Sequence, residues 1–209
     1  MSKRILLMQI VFLMLIIISA PVFASNVFSI PTGDTLNPGT LEVDYSFVGG
    51  GNTLDLNYGI YSGLNIGVSQ WFGSGGSSLA GSLKVGLMGE TQTTPALAVG
   101  GALGSGGGGE IYLALSKQLG TPVIRGHAGI GVGTGANVRP MAGVTAVLNP
   151  VQVQKGNKKA GPTTVVFLEY DNGGVNGGIM SHFNPNFKAK LGLATNSGLL
   201  LGLNYKVSF

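Results

Sequence analysis

Beyond residue 40 most of the chain keeps one habit: apolar side chains recur at every second position, in stretches of about ten residues. A period of two is the mark of a β-strand with one apolar face. The final stretch is the clearest. Leu201, Leu203, Tyr205, Val207 and Phe209 alternate with Gly202, Asn204, Lys206 and Ser208. At 40–48, Leu41, Val43, Tyr45 and Phe47 alternate with Glu42, Asp44 and Ser46. Leu54, Leu56 and Tyr58 oppose Asp55 and Asn57, and Leu64, Ile66 and Val68 oppose Asn65, Gly67 and Ser69. Leu83, Val85 and Leu87 oppose Ser82, Lys84 and Gly86. Ile111, Leu113 and Leu115 oppose Tyr112, Ala114 and Ser116. Ile124, Ala128, Ile130 and Val132 oppose Arg125 and His127.

Further strands are expected at 97–103, which is Gly-rich, and at 140–148 and 163–170, where the alternation is weak. Val175, Ile179 and Phe183 oppose Asn176, Met180 and His182, and Phe187, Ala189, Leu191 and Leu193 oppose Lys188 and Lys190. Gly runs separate these stretches at 49–52, 73–78, 104–109, 171–174 and 196–198, supplying the positive-φ residues that hairpins need. The count is about twelve strands, within a range of ten to fourteen. The one long connection, 149–162, carries Lys155, Lys158 and Lys159 and reads as a solvated loop.

Composition decides what the apolar face meets. Charged residues are 10% of the chain, against ~25% in soluble domains. Gly is 37 of 209 residues, far above the usual ~7%. Nothing after residue 24 is a long apolar run. A chain with so little charge and no spanning helix can still cross lipid as a closed barrel, which satisfies every backbone hydrogen bond between strands. The face opposite the apolar one is rich in Gly, Ala, Ser and Asn, which suits a narrow lumen better than bulk water. Tyr45, Phe47, Tyr58, Phe72, Phe183, Phe187, Tyr205 and Phe209 fall near strand ends, as interfacial girdles do. The expected fold is therefore all-β: a closed antiparallel up-and-down transmembrane β-barrel. A secreted soluble β-sandwich is the competing fold.

The N-terminus points to export. Lys3 and Arg4 precede an apolar run at 5–18, and Val22 and Ala24 are the small residues of a cleavage site. Residues 1–24 read as a signal peptide and 25–209 as the barrel domain. Removing Lys3 and Arg4 lowers the net charge of +4 by two, so charge says little about partners. There is no Cys, which excludes lipoprotein modification and disulfides. No basic cluster is interleaved with aromatics, so nucleic acid is not expected.

The chain end, with Tyr205, Val207 and Phe209 on one face, resembles the C-terminal assembly signal of bacterial outer-membrane barrels. That implies barrel-assembly machinery and outer-membrane lipid as partners. Two further stretches resemble YjbH-type outer-membrane barrel proteins. One is Ile30-Pro31-Thr32-Gly33 running on to Pro38-Gly39-Thr40, and the other is Leu168-Glu169-Tyr170-Asp171-Asn172-Gly173-Gly174 running on to Asn176-Gly177-Gly178. Gly33 stands where that family usually has Ala. The resemblance implies a barrel and an association with exopolysaccharide secretion.

Site chemistry is sparse. His127 and His182 are the two histidines. Ser181 and His182 are strand neighbours and point to opposite faces, so they cannot act as nucleophile and base. No metal site, no cofactor and no catalysis are expected. Gly131 to Ala136 matches a dinucleotide fingerprint, but Asn137-Val138-Arg139-Pro140 follows instead of a helix, so it reads as a turn. The charged residues of the polar face form the candidate set: Glu42, Asp44, Asp55, Lys84, Arg125, Glu169, Lys188, Lys190 and Lys206. Acids dominate its first strands and lysines its last. Closure would bring Glu42 and Asp44 to Lys206, with Lys188 and Lys190 one strand on. The expectation is a passive pore or structural envelope barrel with a charged lumen. An accessory role in exopolysaccharide export is the alternative, and the solute is unspecified. Short outer loops argue against a receptor or adhesin.

Overall fold

A computed structural model describes residues 26–149 and 161–209. The signal-peptide reading and the lysines of the 149–162 connection lie outside these residues. Twelve antiparallel strands follow in order: β1 (Thr40–Val48), β2 (Gly51–Tyr61), β3 (Leu64–Gly73), β4 (Gly76–Met88), β5 (Ala96–Gly104), β6 (Gly109–Gln118), β7 (Ile124–Gly133), β8 (Val138–Val147), β9 (Thr163–Asp171), β10 (Gly174–His182), β11 (Phe187–Ala194) and β12 (Gly198–Ser208). Each pairs with its sequence neighbours, and β1 pairs with β12, which closes the sheet. A sandwich is thereby excluded, since one continuous ladder leaves no second sheet and no free edge.

Period-two alternation sets the two faces. On β12, Leu199, Leu201, Leu203 and Tyr205 are exposed, while Leu200, Gly202, Asn204 and Lys206 are buried. Leu56, Ile66, Val68, Leu83, Ile111, Ile130, Leu168, Ile179 and Leu191 continue the exposed apolar belt around the barrel. An outer surface this apolar, on strands of 8 to 13 residues, is matched to lipid and to its ~9–11-residue strand span.

The turns are tighter than the glycine runs suggest. Gly51 and Asn52 already belong to β2, and 76–78 to β4. Gly49 and Gly50 (φ 56° and 86°) and Asn172 and Gly173 (φ 46° and 86°) each close a two-residue hairpin, for which two successive positive φ values match the strand twist. Phe183, expected within a strand, lies just beyond β10. The connections at the end opposite the termini are 49–50, 74–75, 105–108, 134–137, 172–173 and 195–197, and all are short. The longer ones, 89–95 and 119–123, lie at the end where β1 begins and β12 finishes, and β8 ends and β9 begins there too.

The buried apolar cluster sits inside the barrel. It joins Val27, Phe28 and Ile30 to Met141, Val165, Phe167, Met180, Ala194 and Leu200. Met141, Val165 and Phe167 point inward from β8 and β9, where a polar side chain would be expected. This is why those two strands alternate poorly in sequence. Their lumenal face is apolar because it receives an apolar part of the chain.

Candidate functional site

That part is the stretch ahead of β1. Residues 26–37 occupy the lumen. They turn through a Val27 N to Ile30 O hydrogen bond of 3.0 Å, with Asn26 bridging Pro31, and run from there toward β1. Val27, Phe28, Ile30, Thr32 and Leu36 are buried.

The turn is clasped by Glu169 of β9, which is 1% exposed. Its carboxylate accepts the backbone N–H of Phe28 (3.2 Å), Ser29 (2.9 Å) and Ile30 (3.5 Å), and the Asn176 side-chain amide at 2.9 Å. Asn176 also donates to Ser29 Oγ, and Arg139 to Ser29 O at 3.3 Å. Three backbone donors converging on one anion form a charge-assisted site, with each bond to a charged group worth about 1.5–3 kcal/mol. Phe28 stacks on Phe167 with centroids 5.9 Å apart and lies 5.3 Å below Lys190 Nζ. The clasp thus joins Phe28, Ser29 and Ile30 of the turn to Glu169 of β9 and Asn176 of β10.

Nearer the termini the segment is fixed by different chemistry. Gly33 N donates to Ser116 Oγ at 2.9 Å, and Leu36 N to Asn65 Oδ1 at 3.1 Å. Asp34 forms a two-point pair with Arg125, at 2.6 and 2.8 Å. Gly33 passes so close to the wall that a Cβ there would stand 2.3 Å from the Ala96 carbonyl oxygen.

All nine charged residues of the candidate set lie on strands with their side chains turned inward. At the β1–β12 seam Glu42 is in register with Lys206, and their charged atoms are 2.8 Å apart. Lys190, not Lys206, reaches Asp44, at 3.1 Å, and Asn204 joins it at 2.8 Å. Asp55, opposite Asp44 in the β1–β2 ladder, accepts a hydrogen bond from Ser69 Oγ. Arg125 faces Asp34 and also Glu90 at 2.7 Å. Lys84 and Asp55 line a cavity of about 290 Å³ on one side of the segment. Lys188 and Arg125 line a larger one of about 680 Å³ on the other. Sequence reasoning missed Asp34, Glu90, Glu110, Arg139 and Asp171. Arg139 pairs with Asp171 at 2.6 Å and Glu110 at 2.9 Å, next to Ser29.

Ser116 and His127 form a cross-strand hydrogen bond of 2.8 Å between Oγ and Nδ1. The pair has the reach of a nucleophile and a base, but its surroundings assign it elsewhere. Ser116 is 1% exposed and already accepts the Gly33 N–H. The other imidazole nitrogen faces Thr145 Oγ1 at 3.3 Å, not a carboxylate. The pair anchors the lumenal segment.

The chain matches no protein-family model. It matches no curated protein sequence. Among solved structures it is similar to the KdgM porin, with TM-score 0.56 and 12% identity over 81% of this chain and 99% of that one. The same porin in complex with disordered oligogalacturonate gives TM-score 0.57 at 12% identity, again over 81% and 99%. The fold is that of outer-membrane porins. At this identity the likeness reaches the barrel itself. Porin-type closure fits the apolar outer belt and the inward charges of this chain.

Proposed function

We propose that this protein is a passive porin-type barrel of the bacterial outer membrane whose lumen is held shut by its own N-terminal segment. The observation that carries the reading is the pairing of a charged, small-residue lumen with residues 26–37 held across it by Glu169, Ser116, Arg125 and Asn65. A barrel used only as a structural element has no need of charges facing a cavity, which cost free energy to desolvate. A channel needs polar walls and a means of closing them. The outward stripe of Tyr205 and Phe209 supports delivery by barrel-assembly machinery.

Planar-bilayer recordings test this. The full chain is expected to conduct rarely and weakly, and a variant lacking residues 26–36 to conduct steadily. In that open variant, replacing Lys188 and Lys190 together by Glu should move selectivity toward cations, because both side chains face the lumen. A variant without the segment that folds but carries no current, or whose selectivity ignores the reversal, would leave a structural barrel. An accessory part in exopolysaccharide export is the second reading. It is supported by the YjbH-type stretches, of which Ile30 from the first donates to Glu169 from the second at 3.5 Å.

A further inference from the structure

The 680 Å³ cavity at the terminal end of the lumen has mixed walls. Val27, Val147, Val165 and Met180 give it an apolar side. Lys188 and His182 are set into the remainder, directly opposite one another in the β10–β11 ladder. Facing partners in a ladder stand about 4.5–5.5 Å apart at Cβ, so the two side chains present one edge of nitrogen hydrogen-bonding groups.

Lys188 is 5% exposed, and its ammonium makes no hydrogen bond or ion pair to any described residue. Its neighbours in the lumen are committed. Lys190 is held by Asp44, Lys206 by Glu42, Arg125 by Asp34 and Glu90, and Arg139 by Glu110 and Asp171. A buried amine that no hydrogen bond satisfies is costly unless something else solvates it. Water alone is a poor match for a chamber with an apolar side, whereas an anion with a hydrocarbon tail satisfies both walls at once. One uncommitted ammonium balances one negative charge. A phosphate monoester, with nearly two, would need a second free cation.

We propose that this cavity binds an aliphatic carboxylate, its head on Lys188 and His182 and its chain along Val147, Val165 and Met180. The site stands whether or not the barrel conducts.

The test places the full mature protein in nanodiscs of zwitterionic phospholipid and titrates it with decanoate labelled with carbon-13 at the carboxyl. A saturable bound resonance, one per barrel, is expected. Decanol should compete at least tenfold less well than unlabelled decanoate, because it lacks the charge, and acetate should fail for want of a tail. Lys188→Met should weaken binding about 10–100-fold, the equivalent of one charge-assisted hydrogen bond. That variant removes a buried charge, so the barrel should still form, as heat-modifiable gel migration will show. Val165→Trp keeps the charge and fills the apolar side, and it too should lose binding. The proposal is overturned if no saturable resonance is seen, if decanol competes equally, or if decyl phosphate binds more tightly than decanoate. Full binding by Lys188→Met or by Val165→Trp overturns it as well.

Discussion

Replacing Glu169 by Ala should free the lumenal segment while leaving the barrel closed. The substitution removes the acceptor for Phe28, Ser29 and Ile30 N–H and for the Asn176 amide, all inside a site that is 1% exposed at its centre. Each buried donor left without a partner costs about 1–3 kcal/mol. Docking is already opposed by about 1–2 kcal/mol of backbone entropy per ordered residue. The cheaper response is for the turn to leave and hydrate its own N–H groups. The wall strands keep their ladders, because Glu169 contributes to β9 through its backbone, which Ala retains. The chain has no Cys, so a single Ser29→Cys reporter can be labelled by a water-soluble thiol reagent. Labelling should be at least about a hundredfold faster with Glu169→Ala, which corresponds to roughly 3 kcal/mol of lost docking free energy. Conductance should rise with it. Equal labelling rates in the two backgrounds would show that the clasp does not hold the segment. Glu169→Gln should fall between them, since its amide keeps one acceptor oxygen but turns a donor toward backbone N–H groups.

Gly33→Ala should release the other end of the segment. The added Cβ would meet Ala96 O at 2.3 Å, Ala96 C at 2.7 Å and Ser116 N at 2.9 Å, all backbone atoms of β5 and β6. Ladder-bonded backbone cannot give way by an ångström, so the segment must. Moving it breaks the Gly33 to Ser116 hydrogen bond and draws Asp34 away from Arg125. The Arg125–Asp34 contact is a nearly buried ion pair, and separating such a pair costs about 3–5 kcal/mol. The same Ser29→Cys labelling should therefore accelerate, and bilayer conductance should increase. Gly81→Ala is the matched control. It adds the same methyl group on β4, where nothing lies within 4 Å, and should change neither readout. If Gly33→Ala also changes neither, the segment does not press on the wall. The close approach accounts for Gly at this position, where a methyl group has no room.

The barrel was readable because its determinants are local. Leu41, Val43, Tyr45 and Phe47 place β1 at Thr40–Val48, and the register of Glu42 against Lys206 follows once β12 closes on it. Gly49-Gly50 and Asn172-Gly173 mark turns by the φ values they supply. The seam was partly legible. Acids early and lysines late suggested an ion-paired closure, but which lysine reaches which acid depends on side-chain length across three strands. Lys190 reaches past Gly202 to Asp44 because Gly202 has no side chain in the way.

The lumenal segment was not legible in the same manner, although it left a trace. Val27, Phe28, Ile30 and Leu36 are apolar without alternation, ahead of the first strand. Met141, Val165 and Phe167 are apolar on a face that should be polar. Neither fact means much alone, and together they are the two halves of one contact.

The sequence by itself determined about twelve strands, their two faces, the places of most hairpins and an outer surface made for lipid, because a two-residue period and a turn are settled within a few positions of the chain. The tertiary structure alone decided what fills the barrel. Glu169 meets Ser29 across 140 residues, Arg125 meets Asp34 across 91 and Ser116 meets Gly33 across 83. Contacts at such separations exist only after the sheet has closed and brought its inner wall around the segment.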